Sequence, residues 1–335
     1  MISTYYNLDL SGKNTFRMKV SCACYIEYDE AADLKKIEFD KLPQPVISMG
    51  AGSNLLFTKD FPGTVLHSGI KYIKYVDLGL DELLVAVGAG VTFDDFVAET
   101  CGHNLWGAEN LSLIPGEMGA AAVQNIGAYG VEVKDIISGV VCYDTLTGEK
   151  VTFKKDQCGY GYRSSMFKAP ENKGRYIVTS VLLRLSRTPR PQLNYGNILL
   201  ALGGKTPESP REVRDAIIRI RREKLPDPAE KGSAGSFFKN PVISREKFNE
   251  FGSPLMPHYS LEDGSVKIPA AWLIEQCGFK GKKLGGAAVY EKQPLVIVND
   301  SGAASPEEII ALEREIQEEV KKRYDIELTP EVEHI

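Results

Sequence analysis

The chain has 335 residues, enough for two or three domains, with 43% hydrophobic and 25% charged residues. Those are ordinary values for a soluble globular protein that can bury a core of good size. A net charge of −5 and a pI of about 5.6 give no sign of a nucleic-acid partner.

The N-terminal run Met1-Ile2-Ser3-Thr4-Tyr5-Tyr6-Asn7 lacks a basic start followed by an apolar stretch, so no signal peptide is expected and the expected location is cytoplasmic. No apolar stretch approaches the ~20 residues that span a bilayer. The six cysteines, Cys22, Cys24, Cys101, Cys142, Cys158 and Cys277, form no C-x-x-C pair and read as core thiols. The four histidines show no ligand-like spacing, so no metal site is expected.

Taken from the N-terminus, the apolar runs Pro45–Met49, Leu83–Val87 and Tyr176–Val178 read as strands bounded by turn residues. Thr92 to Cys101 reads as a helix capped by Thr92, with Asp94 and Asp95 in the first turn, where negative charge is favoured. Residues 188–210 hold four prolines and three glycines and read as a linker, with a domain boundary near residue 205. Ser209, Pro210 and Glu212 then open a helix by a capping box, running to about Lys224. Its arginines Arg211, Arg214, Arg219, Arg221 and Arg222 read as solvated. A second helix opens at Pro269 and stops at Gly278. A third opens at Ser305 with Glu308 in another capping box, and Ile309, Leu312, Ile316 and Val320 recur at helical spacing. Ile326 to Leu328 reads as a strand. Both halves are α+β.

Two glycine-rich segments stand out. Met49-Gly50-Ala51-Gly52-Ser53-Asn54 follows a strand, and its bare backbone suits either a tight turn or a nest of N–H groups for an anion such as pyrophosphate. It is not the Rossmann fingerprint, because the third glycine and the following helix are missing. The second segment, Leu113 to Gly130, mixes glycine and alanine with isolated polar side chains. A large flat ligand with polar edges would want that mix, and a glycine-rich core loop is the plainer alternative.

The motifs GAGSN after a strand, IPG followed by QNIGAYG, and GYRSSMFK at 161–168 resemble the FAD-binding domain of the UDP-N-acetylenolpyruvoylglucosamine reductases (UDP-N-acetylmuramate dehydrogenases), within the p-cresol methylhydroxylase and vanillyl-alcohol oxidase superfamily. KLPDP at 224–228, GSAGSFFKNP at 232–241, AAWLIEQCGFKGKKLGGAAVY at 270–290 and PEVEHI at 330–335 extend the resemblance over nearly the whole chain. Asn194-Tyr195-Gly196 resembles the tyrosine loop of one subtype. The implied fold is α+β: a two-part FAD-binding α/β domain of vanillyl-alcohol oxidase type over 1–204, with subdomains of about 1–62 and 63–204. A C-terminal α+β substrate-binding domain would cover 205–335, its last strand returning toward the active site.

The resemblance implies a flavin-dependent oxidoreductase acting on a CH–CH bond. NADPH would supply a hydride that passes through non-covalent FAD to the methylene carbon of UDP-N-acetylglucosamine enolpyruvate, giving UDP-N-acetylmuramate for peptidoglycan. Negative charge would build on the alpha carbon and its carboxylate, so the site needs cationic or hydrogen-bonding groups and one acid beside carbon. Ser236 matches the family's proton donor, Arg163 its active-site arginine and Glu331 its C-terminal glutamate. For the cofactor the resemblance implies Gly50, Ala51, Gly52, Ser53, Asn54, Ile114, Pro115, Gly116, Gly119, Gln124, Asn125, Gly127, Ala128, Tyr129 and Tyr162. For the substrate it implies Tyr195, Lys224 and Asn240. The sequence departs from the family at Glu117-Met118, where a threonine and a small or β-branched residue are common, and at Ala120-Ala121-Ala122. No separate dinucleotide motif is visible, as expected where NADPH and sugar substrate use one cleft in turn. A monomer is expected, with no nucleic-acid or membrane partner.

Two rivals remain at this level. One is an oxidase of the same superfamily that tethers FAD covalently, although neither glycine-rich segment holds a histidine. The other is a non-catalytic nucleotide-sugar or flavin-binding protein.

Overall fold

The computed structural model describes residues 1–79, 81–251 and 256–335. The chain divides into two compact units, neither of them contiguous. The first comprises Met1–Leu8, Cys22–Ala51 and Pro62–Arg221; the second comprises Asp9–Ser21, Gly52–Phe61 and Arg222–Ile335.

The first unit is built on two sheets. One is four-stranded, in the order Ile2–Asp9, Ser21–Tyr28, Phe61–Ser68, Val46–Ser48, with the last pair parallel and Ile47 opposite Val65. Cys22 and Cys24 are both buried on one side of this sheet, as the two-residue strand period requires. Cys24, Ile26, Tyr28, Leu34 and Leu66 form its core. The other sheet is five-stranded and antiparallel, in the order Glu149–Lys154, Ile137–Asp144, Tyr176–Ser186, Glu82–Gly88, Ile73–Asp77. The helices Phe93–Gly102 and Met118–Gln124 share a core with it, including Phe93, Phe96, Met118, Val140 and Val181. Each such side chain contributes roughly 1.5–3 kcal/mol when fully buried.

The helix Phe93–Gly102 forms where expected, but not by the expected cap. The Thr92 side chain makes no capping bond. Asp94 turns outward from the helix end, accepts the Leu113 N–H at 2.5 Å and binds Arg214 Nη2 at 2.9 Å. A charged fork and a peptide N–H together hold this carboxylate more firmly than the helix terminus alone.

Residues 188–210 are not a free linker. Ile198–Ala201 forms one helical turn, and Ile198 is buried with Trp106, Val213 and Ile217. Asn110 Nδ2 also donates to the Gln192 carbonyl at 2.8 Å. The helix Pro210–Lys224 then carries the chain out of the first unit, so the division falls at Arg221 and Arg222 rather than near residue 205.

The second unit has a four-stranded sheet in the order Gly232–Ser236, Val296–Asn299, Ala287–Val289, Lys283–Leu284, and a three-stranded one of Val242–Ile243, Val266–Lys267 and Tyr259–Ser260. Its early excursion is explained by buried polar bonds. Asn14 closes the loop on the Leu10 and Met18 carbonyls at 2.7 and 3.1 Å. Ser233 N–H then donates to the Thr15 carbonyl at 2.9 Å, and Asn299 Nδ2 to that of Phe16 at 3.2 Å. A side chain on Gly232 would meet the Phe16 carbonyl, so glycine is required there.

The short helix Ala270–Gln276 and the long helix Pro306–Tyr324 complete this unit. The capping box is formed, with the Glu308 N–H on Ser305 Oγ at 3.3 Å and the Ser305 N–H on Glu308 Oε2 at 3.0 Å. The expected strand Ile326–Leu328 is absent. Both residues are buried, but the Leu328 carbonyl accepts from Gln317 Nε2 at 2.9 Å, so the segment is pinned to the long helix instead of to a ladder. The terminal strand is Glu333–His334, parallel to Leu55–Leu56.

Candidate active site

In the first unit the two glycine-rich segments meet. The strand Val46–Ser48 leads into Gly50, where a Cβ would lie 3.1 Å from Glu117 Oε2 and 3.5 Å from the Ala120 methyl. The second segment turns at Leu113 and Gly116, with φ of 59° and 118°. It continues as the helix Met118–Gln124 and ends on Asn125 in the left-handed conformation, φ 46°. Gly119 is needed for close packing, since its Cβ would stand 3.0 Å from that of Ala89 and its N–H donates to the Ala89 carbonyl at 2.9 Å. Among the described residues, the backbone N–H groups of Gly50, Ala51, Ile114, Gly116 and Ala120 find no acceptor. Unspent donors on bare backbone suit the phosphates and polar ring edges of a flat cofactor.

The residues that follow form a knot around Arg163. Asn125 is fully buried, and its amide donates to Glu132 Oε2 at 3.0 Å and the Gly161 carbonyl at 2.8 Å, while Oδ1 accepts the Lys134 N–H at 3.1 Å. Gln124 Oε1 accepts from Lys168 at 2.7 Å. Arg163 takes φ 53° in a turn closed by Gly161 and Ser164. Its guanidinium donates to the carbonyls of Gly127 (2.8 Å) and Asn125 (3.2 Å) and lies 5.4 Å from the Tyr162 ring centre. A Cβ on Gly127 would lie 2.9 Å from the Val131 carbonyl, so the turn accepts only glycine there. Tyr195 packs on the next turn, its Cβ 3.2 Å from where a Gly130 side chain would begin, and Gly196 faces the Tyr129 ring. Arg163, Gly127, Ala128, Tyr129 and Tyr195 therefore belong to one region.

In the second unit, Ser236 ends the strand Gly232–Ser236, opposite Val296 and after an irregularity in the ladder. Gly235 takes φ 73° just before it, and the buried Phe237 and Phe238 follow. The Glu331 N–H donates to the Phe237 carbonyl at 2.8 Å, and Asn54 Nδ2 donates to the Glu331 carbonyl at 3.1 Å. Ser236, Asn54 and Glu331 are thus joined through neighbouring backbone. Gly52 has φ 62°, and a Cβ there would lie 2.6 Å from the Lys13 carbonyl. Asn240 spends its Oδ1 on the Ala270 N–H at 2.9 Å, at the start of a helix. Lys224 is exposed and has no ion pair among the described residues.

Several residues escaped the sequence reading. Arg214 and Arg221 are not simply solvated. Arg214 pairs with Asp94, and Arg221 is carried into the interior near Tyr129, burial pushing its guanidinium pKa down. His67 stands beside Glu117, 3.7 Å from it. Nothing in the spacing of these residues signals such long-range pairs. Among the described residues, no three His, Cys, Asp or Glu side chains group as a metal site would, and no helix is long and apolar enough to cross a membrane.

Residues 227–335 match the family described as UDP-N-acetylenolpyruvoylglucosamine reductase, C-terminal domain, and residues 24–154 match an FAD binding domain. UDP-N-acetylenolpyruvoylglucosamine reductase from Bacteroides fragilis strain YCH46 is 47% identical over 97% of this chain and 98% of its own. The protein of that name from Porphyromonas gingivalis is 45% identical over 97% of each. The crystal structure of UDP-N-acetylenolpyruvylglucosamine reductase from Thermus caldophilus superposes with a TM-score of 0.70, covering 100% of this chain and 98% of that one at 24% identity, which speaks for the fold. The chain belongs to the UDP-N-acetylenolpyruvoylglucosamine reductase family.

Proposed function

We propose that this protein reduces UDP-N-acetylglucosamine enolpyruvate to UDP-N-acetylmuramate with NADPH and non-covalent FAD, as a cytoplasmic monomer in peptidoglycan precursor synthesis. What carries the reading is the near full-length identity to reductases of that name, with the glycine-rich segments meeting at Gly50 and Glu117. The residues fit FAD: the unspent N–H groups along both segments suit its phosphates and ring edges, and glycine at positions 50 and 116 leaves the backbone bare there. When bound, FAD supplies the relay of a hydride from NADPH to the methylene carbon of the enolpyruvyl ether.

The chain's own residues supply the rest. Ser236 delivers a proton to the alpha carbon from its hydroxyl, after the left-handed turn at Gly235 and before two buried phenylalanines that keep water away. Arg163 offers a planar fork to the developing enolate and carboxylate. Two backbone carbonyls already orient that fork, so little order is lost on binding. Glu331, held by its backbone beside Ser236, orients the hydroxyl or a water. Contacts to FAD are assigned, by the family resemblance, to Gly50, Ala51, Gly52, Ser53, Asn54, Ile114, Pro115, Gly116, Gly119, Gln124, Asn125, Gly127, Ala128, Tyr129 and Tyr162. Tyr195, Lys224 and Asn240 serve the UDP-sugar.

The test is the visible spectrum of the purified protein under anaerobic conditions. Flavin bands that bleach with NADPH and return on adding the enolpyruvyl sugar support cofactor, donor and acceptor together. A colourless protein that takes up no FAD overturns the reading.

A further inference from the structure

Glu117 stands where its family often has threonine, and the reaction proposed above makes no use of it. Its side chain is 13% exposed, and Oε1 lies 3.7 Å from His67 Nε2. The opposite ring nitrogen, Nδ1, lies 3.1 Å from the Met49 carbonyl oxygen. A carbonyl can only accept, so Nδ1 carries a hydrogen. A neutral ring would then turn the Nε2 lone pair toward a carboxylate in a nearly buried place, which is repulsive. The pair therefore keeps one extra proton, either on Nε2 or on the carboxyl.

The same two side chains connect the glycine-rich segments. His67 holds Met49, the residue before Gly50, while the Glu117 carboxylate covers Gly50 itself. Tyr25 stacks on the His67 ring at 5.9 Å. The other titratable groups facing the pair are Tyr28 and, around Tyr25, Glu27, Tyr5 and Cys22. Burial pushes the Tyr25 and Tyr28 hydroxyls well above the usual phenol range and raises the Cys22 thiol, so these stay neutral near pH 7. The imidazole is left as the group of this cluster whose ordinary titration falls near neutrality.

We propose that Glu117 and His67 form a proton-dependent clasp between the two glycine-rich segments, and that this positioning pair sets how tightly FAD is held. The proposal rests on the flavin reading above. With the proton present, the ion pair draws the helix start at Glu117 onto the Gly50 turn and keeps the N–H groups aimed. Loss of the proton leaves a carboxylate against a lone pair, and the two segments part.

The experiment follows release of FAD from the holoenzyme by flavin fluorescence on dilution, from pH 6 to pH 9. The wild type should lose about tenfold in FAD affinity as pH rises through the imidazole titration, about 1.4 kcal/mol. Glu117→Gln and His67→Gln should each give a flat profile, with affinity near the alkaline wild-type value throughout. A wild-type profile that is itself flat overturns the clasp, whatever the variants do. So does a Glu117→Gln protein that keeps the wild-type pH dependence. A protein that binds no FAD at any pH overturns the clasp together with the flavin reading, whereas flavin bound equally at every pH overturns the clasp alone.

Discussion

Glu331 donates its backbone N–H to the carbonyl of Phe237 at 2.8 Å, so the C-terminal segment is fastened one residue from Ser236 by main-chain atoms alone. The Asn54 amide grips the Glu331 carbonyl from the other side at 3.1 Å. Substituting the Ser236 or Glu331 side chain leaves these bonds in place, which makes both positions clean tests of chemistry.

Ser236→Ala should lower turnover of the enolpyruvyl sugar by about 10²-fold or more, the usual contribution of a positioned proton donor. Reduction of the flavin by NADPH should stay near the wild-type rate, because that half needs no proton on carbon. Stopped-flow measurement of the two halves separates them. An equal loss in both would contradict the role given to the hydroxyl.

Arg163→Lys should lose both the fork and one of two backbone contacts. Lysine is a point charge and cannot serve the Gly127 and Asn125 carbonyls and an incoming carboxylate together. Loss of hydrogen bonds from a charged group costs about 1.5–3 kcal/mol, so the melting temperature should fall by several degrees. The kcat/KM for the sugar substrate should fall further than that for NADPH oxidation, and steady-state kinetics with each varied in turn reads the difference.

Asp94 gives a prediction in pH. Burial would raise its carboxyl pKa, but Arg214 and the Leu113 N–H outweigh burial and hold it below the ordinary carboxylate range. A group with a depressed folded pKa stabilises the fold above its unfolded pKa of about 3.9, and that stability is lost as pH falls through the folded value. Asp94→Asn should therefore lower the melting temperature at pH 7 and narrow its gap to wild type below about pH 4. Thermal melts across that range check the sign.

Gly52→Ala should destabilise the protein by about 2 kcal/mol or more, because φ is positive and the new methyl would press on the Lys13 carbonyl and Asn14. Gly12→Ala, with nothing within 4 Å, is the matched control. Chemical denaturation of the two variants side by side reads the contrast.

Local signals were legible wherever one stretch of chain suffices. The long helix from Pro306 obeys its capping box and its apolar spacing, because a helix is stabilised by neighbours three and four residues apart. Thr92 misled, because Asp94 found Arg214, 120 positions along the chain, and a charged fork outweighs a hydroxyl cap. Ile326–Leu328 misled for the same kind of reason. Ile326 and Leu328 are apolar and buried on alternate positions as a strand's would be, but Gln317 claims the Leu328 carbonyl.

The sequence by itself determined the helices that begin at Phe93, Pro210, Ala270 and Pro306 and the motifs that place the chain in its family, since all of these rest on residues close along the backbone. The tertiary structure alone decided that Asp9–Ser21 and Gly52–Phe61 belong with the C-terminal unit, that Glu331 is fastened beside Ser236, and that Glu117 meets His67. Those pairings join residues tens to hundreds of positions apart. They arise from burial and from hydrogen-bond partners that must be found within the folded interior, and no periodicity along the chain records them.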